Sequence, residues 1–131
     1  MIAQVRFHFL FTTLLCLLAF TSHAADAQLL FDQQLQDIPG KSGQVLTVTY
    51  GPGESSAQHR HNAHTFVYVL EGSVVMGVRG SEPVTLQAGE TFYENPDDIH
   101  EVSRNASDTE AATILVFFIK GTDAPPTVPV D

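Results

Sequence analysis

From Gln44 to Ile119 the chain alternates short apolar runs with turn signals, and no stretch after Gln44 keeps a helical period. Gln44–Tyr50 is rich in β-branched residues and stops at Gly51-Pro52-Gly53. Thr65–Leu70 and Val74–Val78 flank Glu71-Gly72-Ser73 and read as the two arms of a tight hairpin. Pro83–Leu86, Glu90–Tyr93, His100–Arg104 and Thr113–Ile119 supply further strands. This pattern predicts an all-β domain, a sandwich or small barrel. Leu29–Ile38 fits a short helix or an extended edge segment equally well. The prolines of the tail, Pro125, Pro126 and Pro129, lack backbone donors. They keep it out of a sheet interior, so it is expected along the surface or against a partner subunit.

The first residues follow a different pattern. Arg6 precedes an apolar run from Phe7 to Phe20, and Ser22-His23-Ala24 places small residues at −3 and −1 of a cleavage site before Ala25. The run falls short of the ~20 residues of a membrane span. The expectation is therefore a cleaved signal peptide, export to the periplasm or medium, and no membrane span in the mature form. Cys16, the lone cysteine, would leave with it, so no disulfide is expected in the mature chain. The organisation read from the chain is residues 1–24 as signal, 25–43 as an N-terminal arm, 44–120 as one barrel domain and 121–131 as a Pro-rich tail. Removing residues 1–24 takes only Arg6 from the charged set, leaving fifteen acidic and five basic residues. That balance argues against nucleic acid and anionic membrane surfaces as partners.

The remaining histidines fall in two short clusters, His59-Arg60-His61 with His64, and His100. Period-two alternation puts His59 and His61 on one side of an extended strand, and neutral imidazole is a common ligand for transition metals. No serine-nucleophile elbow, phosphate loop or cysteine pair is present in the sequence.

With Gly53, His59, His61 and Gly72 in order, the chain resembles the cupin superfamily, whose first motif is G-x5-H-x-H-x3-4-E-x6-G. Gly89, Pro96, Asp98, His100 and Asn105 match the family's second motif more loosely. Proline arrives one residue late, aspartate stands where glycine is usual, and the step to Asn105 is one longer. The resemblance implies a double-stranded β-helix, or jelly-roll barrel, with one divalent metal (Fe, Zn, Mn or Ni) in its mouth. It also implies His59, His61 and His100 as ligands, and a homodimer, to which Leu29-Leu30-Phe31 and the tail could contribute. The family's ligand glutamate falls on Thr65. Without that carboxylate the site would keep a +2 charge and favour anionic ligands such as enolates, phenolates or carboxylates. His64 is a fourth ligand only if the Asn62-Ala63 turn shifts strand parity; on a straight strand it points away.

Glu94, flanking the second motif, is a candidate acid or base near the mouth, set against the plainer reading of a surface carboxylate. Thr65, Phe66 and Tyr68 are candidate pocket residues. Asn105 is expected in a buried turn rather than as a glycosylation acceptor. Two functions follow: a metal-dependent enzyme of dioxygenase or isomerase type acting on a small molecule, or a non-catalytic module that captures a small ligand or metal. The small size and the absence of an obvious general base in the motifs favour the second; the open ligand positions favour the first.

Overall fold

The computed structural model describes residues 25–130; the signal peptide expected over residues 1–24, with Cys16, lies outside them. The described chain forms ten strands. They are β1 (Asp26–Gln34), β2 (Lys41–Tyr50), β3 (His59–Arg60), β4 (His64–Glu71), β5 (Ser73–Val78), β6 (Val84–Gln87), β7 (Thr91–Glu94), β8 (His100–Asn105), β9 (Ala112–Gly121) and β10 (Val128–Pro129). Two five-stranded antiparallel sheets result, ordered β1-β2-β9-β4-β7 and β10-β3-β8-β5-β6. All the predicted strands from Gln44 onward are present, with no end moved by more than three residues.

The packing follows from alternation. In β9 every second residue is buried, and β4 repeats the pattern, with Thr65, Val67 and Val69 inward and His64, Phe66, Tyr68 and Leu70 outward. The inward residues of the first sheet, Leu46, Val67, Val69, Ile114, Val116 and Phe118, meet Val74, Met76 and Leu86 of the second.

The hairpin expected between Thr65–Leu70 and Val74–Val78 does not form. β4 pairs with β7 and β9, whereas β5 pairs with β6 and β8 in the opposite sheet. Gly72 makes the crossing at φ +71°, a left-handed conformation open to glycine. A Cβ there would sit 2.6 Å from Ala111 O and 2.9 Å from Ala112 Cα, so no other residue fits without moving the backbone.

The arm and the tail both join sheets. The open choice for the arm resolves to strand: β1 is exposed along its whole length, Leu29, Leu30 and Phe31 included, and pairs with β2 at one sheet edge. At the far end, buried Lys120 donates from Nζ to the carbonyls of Gly121, Thr122 and Ala124 at 3.3, 3.2 and 3.0 Å. This curls the chain as it leaves β9. The tail then reaches the second sheet, where β10 pairs with β3 through Val128↔Arg60 and Pro129↔His59. Proline is tolerated there because β10 is an edge strand. The tail is thus an edge strand of the barrel, outside any sheet interior as its prolines require.

Candidate metal centre

Three of the four predicted histidines meet between the sheets. His59 on β3 is the direct cross-strand partner of His100 on β8, and His61 follows two residues after His59 on the same side. One ligand nitrogen from each lies within 4.8 Å of the others. Ring centroids are 4.7 Å apart for His59–His61 and 5.0 Å for His59–His100. His61 packs on Phe118 and His100 stacks on Phe92, which confines both rings.

Hydrogen bonds prepare two of these rings for a cation. His59 Nδ1 faces Ala57 O at 2.7 Å and His61 Nδ1 faces Pro126 O at 2.6 Å. A carbonyl can only accept, so each Nδ1 carries the proton and donates it, leaving the Nε2 lone pair free. Pro126 belongs to the tail, so residues remote in sequence orient a candidate ligand. Burial, reinforced by neighbouring imidazoles, pushes His61 down to about 4 and His100 down to about 3. Both are therefore neutral, the form that coordinates.

Glu94 lies beside the cluster, against two of its three histidines. Its side chain is 2% exposed, with Oε1 3.3 Å from His100 Nδ1 and Oε2 3.8 Å from His61 Nε2. Neither oxygen has a hydrogen-bond partner, and neither nitrogen of His100 has one. Burial, with Asp98 adding negative charge nearby, pushes Glu94 up to about 8. Four buried polar atoms without partners, the two nitrogens of the His100 imidazole and the two oxygens of the Glu94 carboxyl, are costly unless something binds them. Three neutral imidazole nitrogens within 4.8 Å of one another suit a divalent cation, so the histidines fit a metal.

The other predicted positions divide. Thr65 is fully buried and lines the cavity beside the histidines. His64 is not in the cluster: it lies on the outer face with Nδ1 2.7 Å from the Tyr93 hydroxyl, and its ring stacks on Tyr93. Asn62, at φ +50°, turns the chain from one sheet into the other, and β4 then runs straight with His64 outward. Phe66 and Tyr68 share that parity, are each 43% exposed, and line no part of the pocket. Glu94 is buried rather than a surface carboxylate. Glu90 accepts from Gln87 N at 2.6 Å in a turn, and Asn105 is buried with Nδ2 donating to the carbonyls of Tyr50, Gly51 and Glu110.

A cavity of about 450 Å³ opens from the histidines between the sheets. Leu46, Val48, Val67, Ile114, Val116 and Phe118 line its apolar part. Its polar patch is a hydroxyl chain, Tyr50 to Ser103 at 2.6 Å and Tyr50 to Ser56 at 3.3 Å. Nothing in the sequence marked these three residues or Pro126. Parity along β2 and β8 could have placed Tyr50 and Ser103 inward, but not opposite one another.

Two antiparallel sheets closed into a double-stranded β-helix, with histidines gathered between them, define a small-barrel class of protein. The cupin domain family profile matches residues 46–118, more than half of the chain. The chain belongs to the cupin family. None of the curated proteins matches it significantly in sequence. Among solved structures it is similar to an uncharacterized double-stranded β-helix protein from Klebsiella pneumoniae, with TM-score 0.65 at 16% identity, covering 85% of this chain and 88% of that one. The DMSP lyase DddQ from Ruegeria pomeroyi superposes with TM-score 0.59 at 19% identity, over 67% of this chain and 43% of the lyase. An oxalate oxidase superposes with TM-score 0.59 at 25% identity, over 67% of this chain and 46% of the oxidase. The chain thus spans less than half the length of either enzyme, and the likenesses to the Klebsiella protein and the lyase establish fold alone.

Proposed function

We propose that this is an exported cupin that holds one divalent metal through His59, His61 and His100 and acts there on a small organic molecule. The single observation that carries the reading is the junction of the histidine cluster with a cavity whose wall is largely apolar. A pocket of a few hundred Å³ with a few convergent polar groups suits a small ligand. Its head would carry an oxygen donor such as a carboxylate, enolate or phenolate, and its body would lie along Leu46, Val67, Ile114 and Val116. When bound, the metal supplies Lewis acidity and, for iron, manganese or nickel, one-electron chemistry.

The chain's own residues supply the rest. The carbonyls of Ala57 and Pro126 hold the Nδ1 protons of His59 and His61, so both rings present Nε2 in a fixed orientation. Phe92 and Phe118 restrict the rings and keep water from their far sides. The Tyr50–Ser103–Ser56 hydroxyls offer a hydrogen bond to a polar substituent of the ligand. A non-catalytic capture module uses the same pocket without turnover, and Thr65 in place of the family's motif glutamate is the feature that favours it.

Loading the metal-free mature protein separately with Fe(II), Mn(II), Ni(II) and Zn(II) tests the reading. Metal-dependent consumption of oxygen, or of substrate, is expected with one class among thiols, diketones and flavonols. Tight ligand retention with no turnover under any metal would replace the enzyme with the capture module. For export, N-terminal sequencing of the protein secreted or sent to the periplasm is expected to begin at Ala25. Recovery only of chains beginning at Met1, inside the cell, would remove export from the proposal.

A further inference from the structure

Position 65 is where the family's first motif places a glutamate, and here it is threonine. Thr65 on β4 pairs directly with Glu94 on β7. In an antiparallel pair, residues directly opposite project to the same face with Cβ atoms about 4.5–5.5 Å apart. Both are inward, Thr65 at 0% and Glu94 at 2% exposure. A carboxylate at 94 therefore enters the same end of the cavity that a carboxylate at 65 would occupy, from the neighbouring strand.

We infer that Glu94 is the fourth protein ligand of the centre, with the carboxylate relocated across the β4–β7 pair. Three further observations support this. Its oxygens approach two of the three candidate ligands, at 3.3 Å from His100 Nδ1 and 3.8 Å from His61 Nε2. Donors that share one metal at bonds of about 2.0–2.2 Å lie about 3–4 Å apart, so the separations from His100 and His61 suit a common ion. The set already gathered within 4.8 Å is the three histidines alone. Both oxygens are buried without a hydrogen-bond partner, so hydrogen bonding does not account for the side chain's placement. Thr65 is also the right neighbour sterically. Its hydroxyl faces Ala63 O at 3.4 Å, and its small side chain leaves room for the longer one opposite.

This assignment rests on the metal centre proposed above and deepens it. It replaces the acid–base role suggested by Glu94's place beside the second motif with a ligand role. The centre then carries a net +1 charge with a divalent ion, rather than the +2 expected from Thr65 alone. Anionic ligands would still be attracted, but less strongly.

Cobalt(II) binding to the full mature chain tests the assignment, read by chelator competition and by the visible absorption of the bound ion. Glu94→Gln keeps the shape and removes the charge. It is expected to lower cobalt affinity by about tenfold or more and to change the absorption bands. The swap Thr65→Glu with Glu94→Thr is expected to recover most of the affinity, because the carboxylate returns to the same space. A carboxylate that merely orients His100 from outside would not be replaced by one at 65, so a folded swap variant without recovery overturns the inference. Unchanged affinity and bands in Glu94→Gln overturn it as well, and decide the matter alone if circular dichroism shows the swap variant unfolded. No cobalt binding by the unmodified chain would instead sink the metal centre itself.

Discussion

His100→Ala is expected to abolish stoichiometric metal binding while the barrel remains folded. His100 sits at the centre of the site: it pairs across the sheet with His59, faces Glu94 at 3.3 Å and is 4% exposed. Its removal leaves His59 and His61 without the strand opposite them, and two adjacent imidazoles hold a divalent ion far more weakly than a closed set. Little is lost from the metal-free fold, because neither ring nitrogen of His100 has a hydrogen-bond partner to forfeit. The remaining cost is a cavity beside Phe92. Metal analysis after gel filtration should therefore fall from about one ion per chain to near zero. Thermal melting supplies a second readout. Metal at a thousandfold excess over its dissociation constant stabilises the unmodified protein by about 4 kcal/mol. For a domain of this size that is a rise of about 10 °C or more, and it should vanish in the variant. A His100→Ala protein that retains one ion per chain would refute the site.

The metal-free protein is expected to be most stable near pH 6.5 and to weaken on both sides, for opposite reasons. His61 and His100 have folded values of about 4 and about 3 against an ordinary 6.5, so the unfolded chain binds their protons first as pH falls. Glu94 has a folded value of about 8 against 4.5, so between these values the folded chain holds a proton that the unfolded chain has lost. From pH 4.5 to 6.5 the unfolded state gains two imidazole protons while the folded state keeps one on Glu94. The net difference of one proton makes stability rise with pH by about 1.4 kcal/mol per unit, or about 3 kcal/mol over the window. From 6.5 to 8 only the Glu94 proton differs. Stability then falls with pH by about 2 kcal/mol. Denaturant midpoints of chelator-treated protein across pH 5–8.5 would show the dome. The alkaline limb should be absent in Glu94→Gln, which has no proton to lose, and should be suppressed by saturating zinc, which favours the ionised carboxylate. A flat profile above pH 6.5 would contradict the buried, unpartnered carboxyl.

Period-two alternation in the chain by itself determined the strands from Gln44 to Ile119, and the two motifs brought His59, His61 and His100 forward as a set. These features are local: strand length, turn residues and side-chain spacing follow from a few consecutive residues. Local parity also contained the correct reading of His64, which a straight β4 turns outward along with Phe66 and Tyr68. Choosing among those alternatives required knowing which face of β4 meets the core, and that depends on β9 and the opposite sheet. The hairpin expected at Gly72 failed for a similar reason. A tight turn between two strands looks the same in sequence whether the strands pair or part into different sheets, and packing of β5 on β8 made the difference.

The tertiary structure alone decided the rest of the centre. Register between β4 and β7 set Glu94 opposite Thr65, and the return of the tail along β3 set Pro126 O against His61. Hydrogen-bond register and chain return join residues tens of positions apart. No composition or spacing encodes such pairings, since they arise only when the two sheets close over a common core.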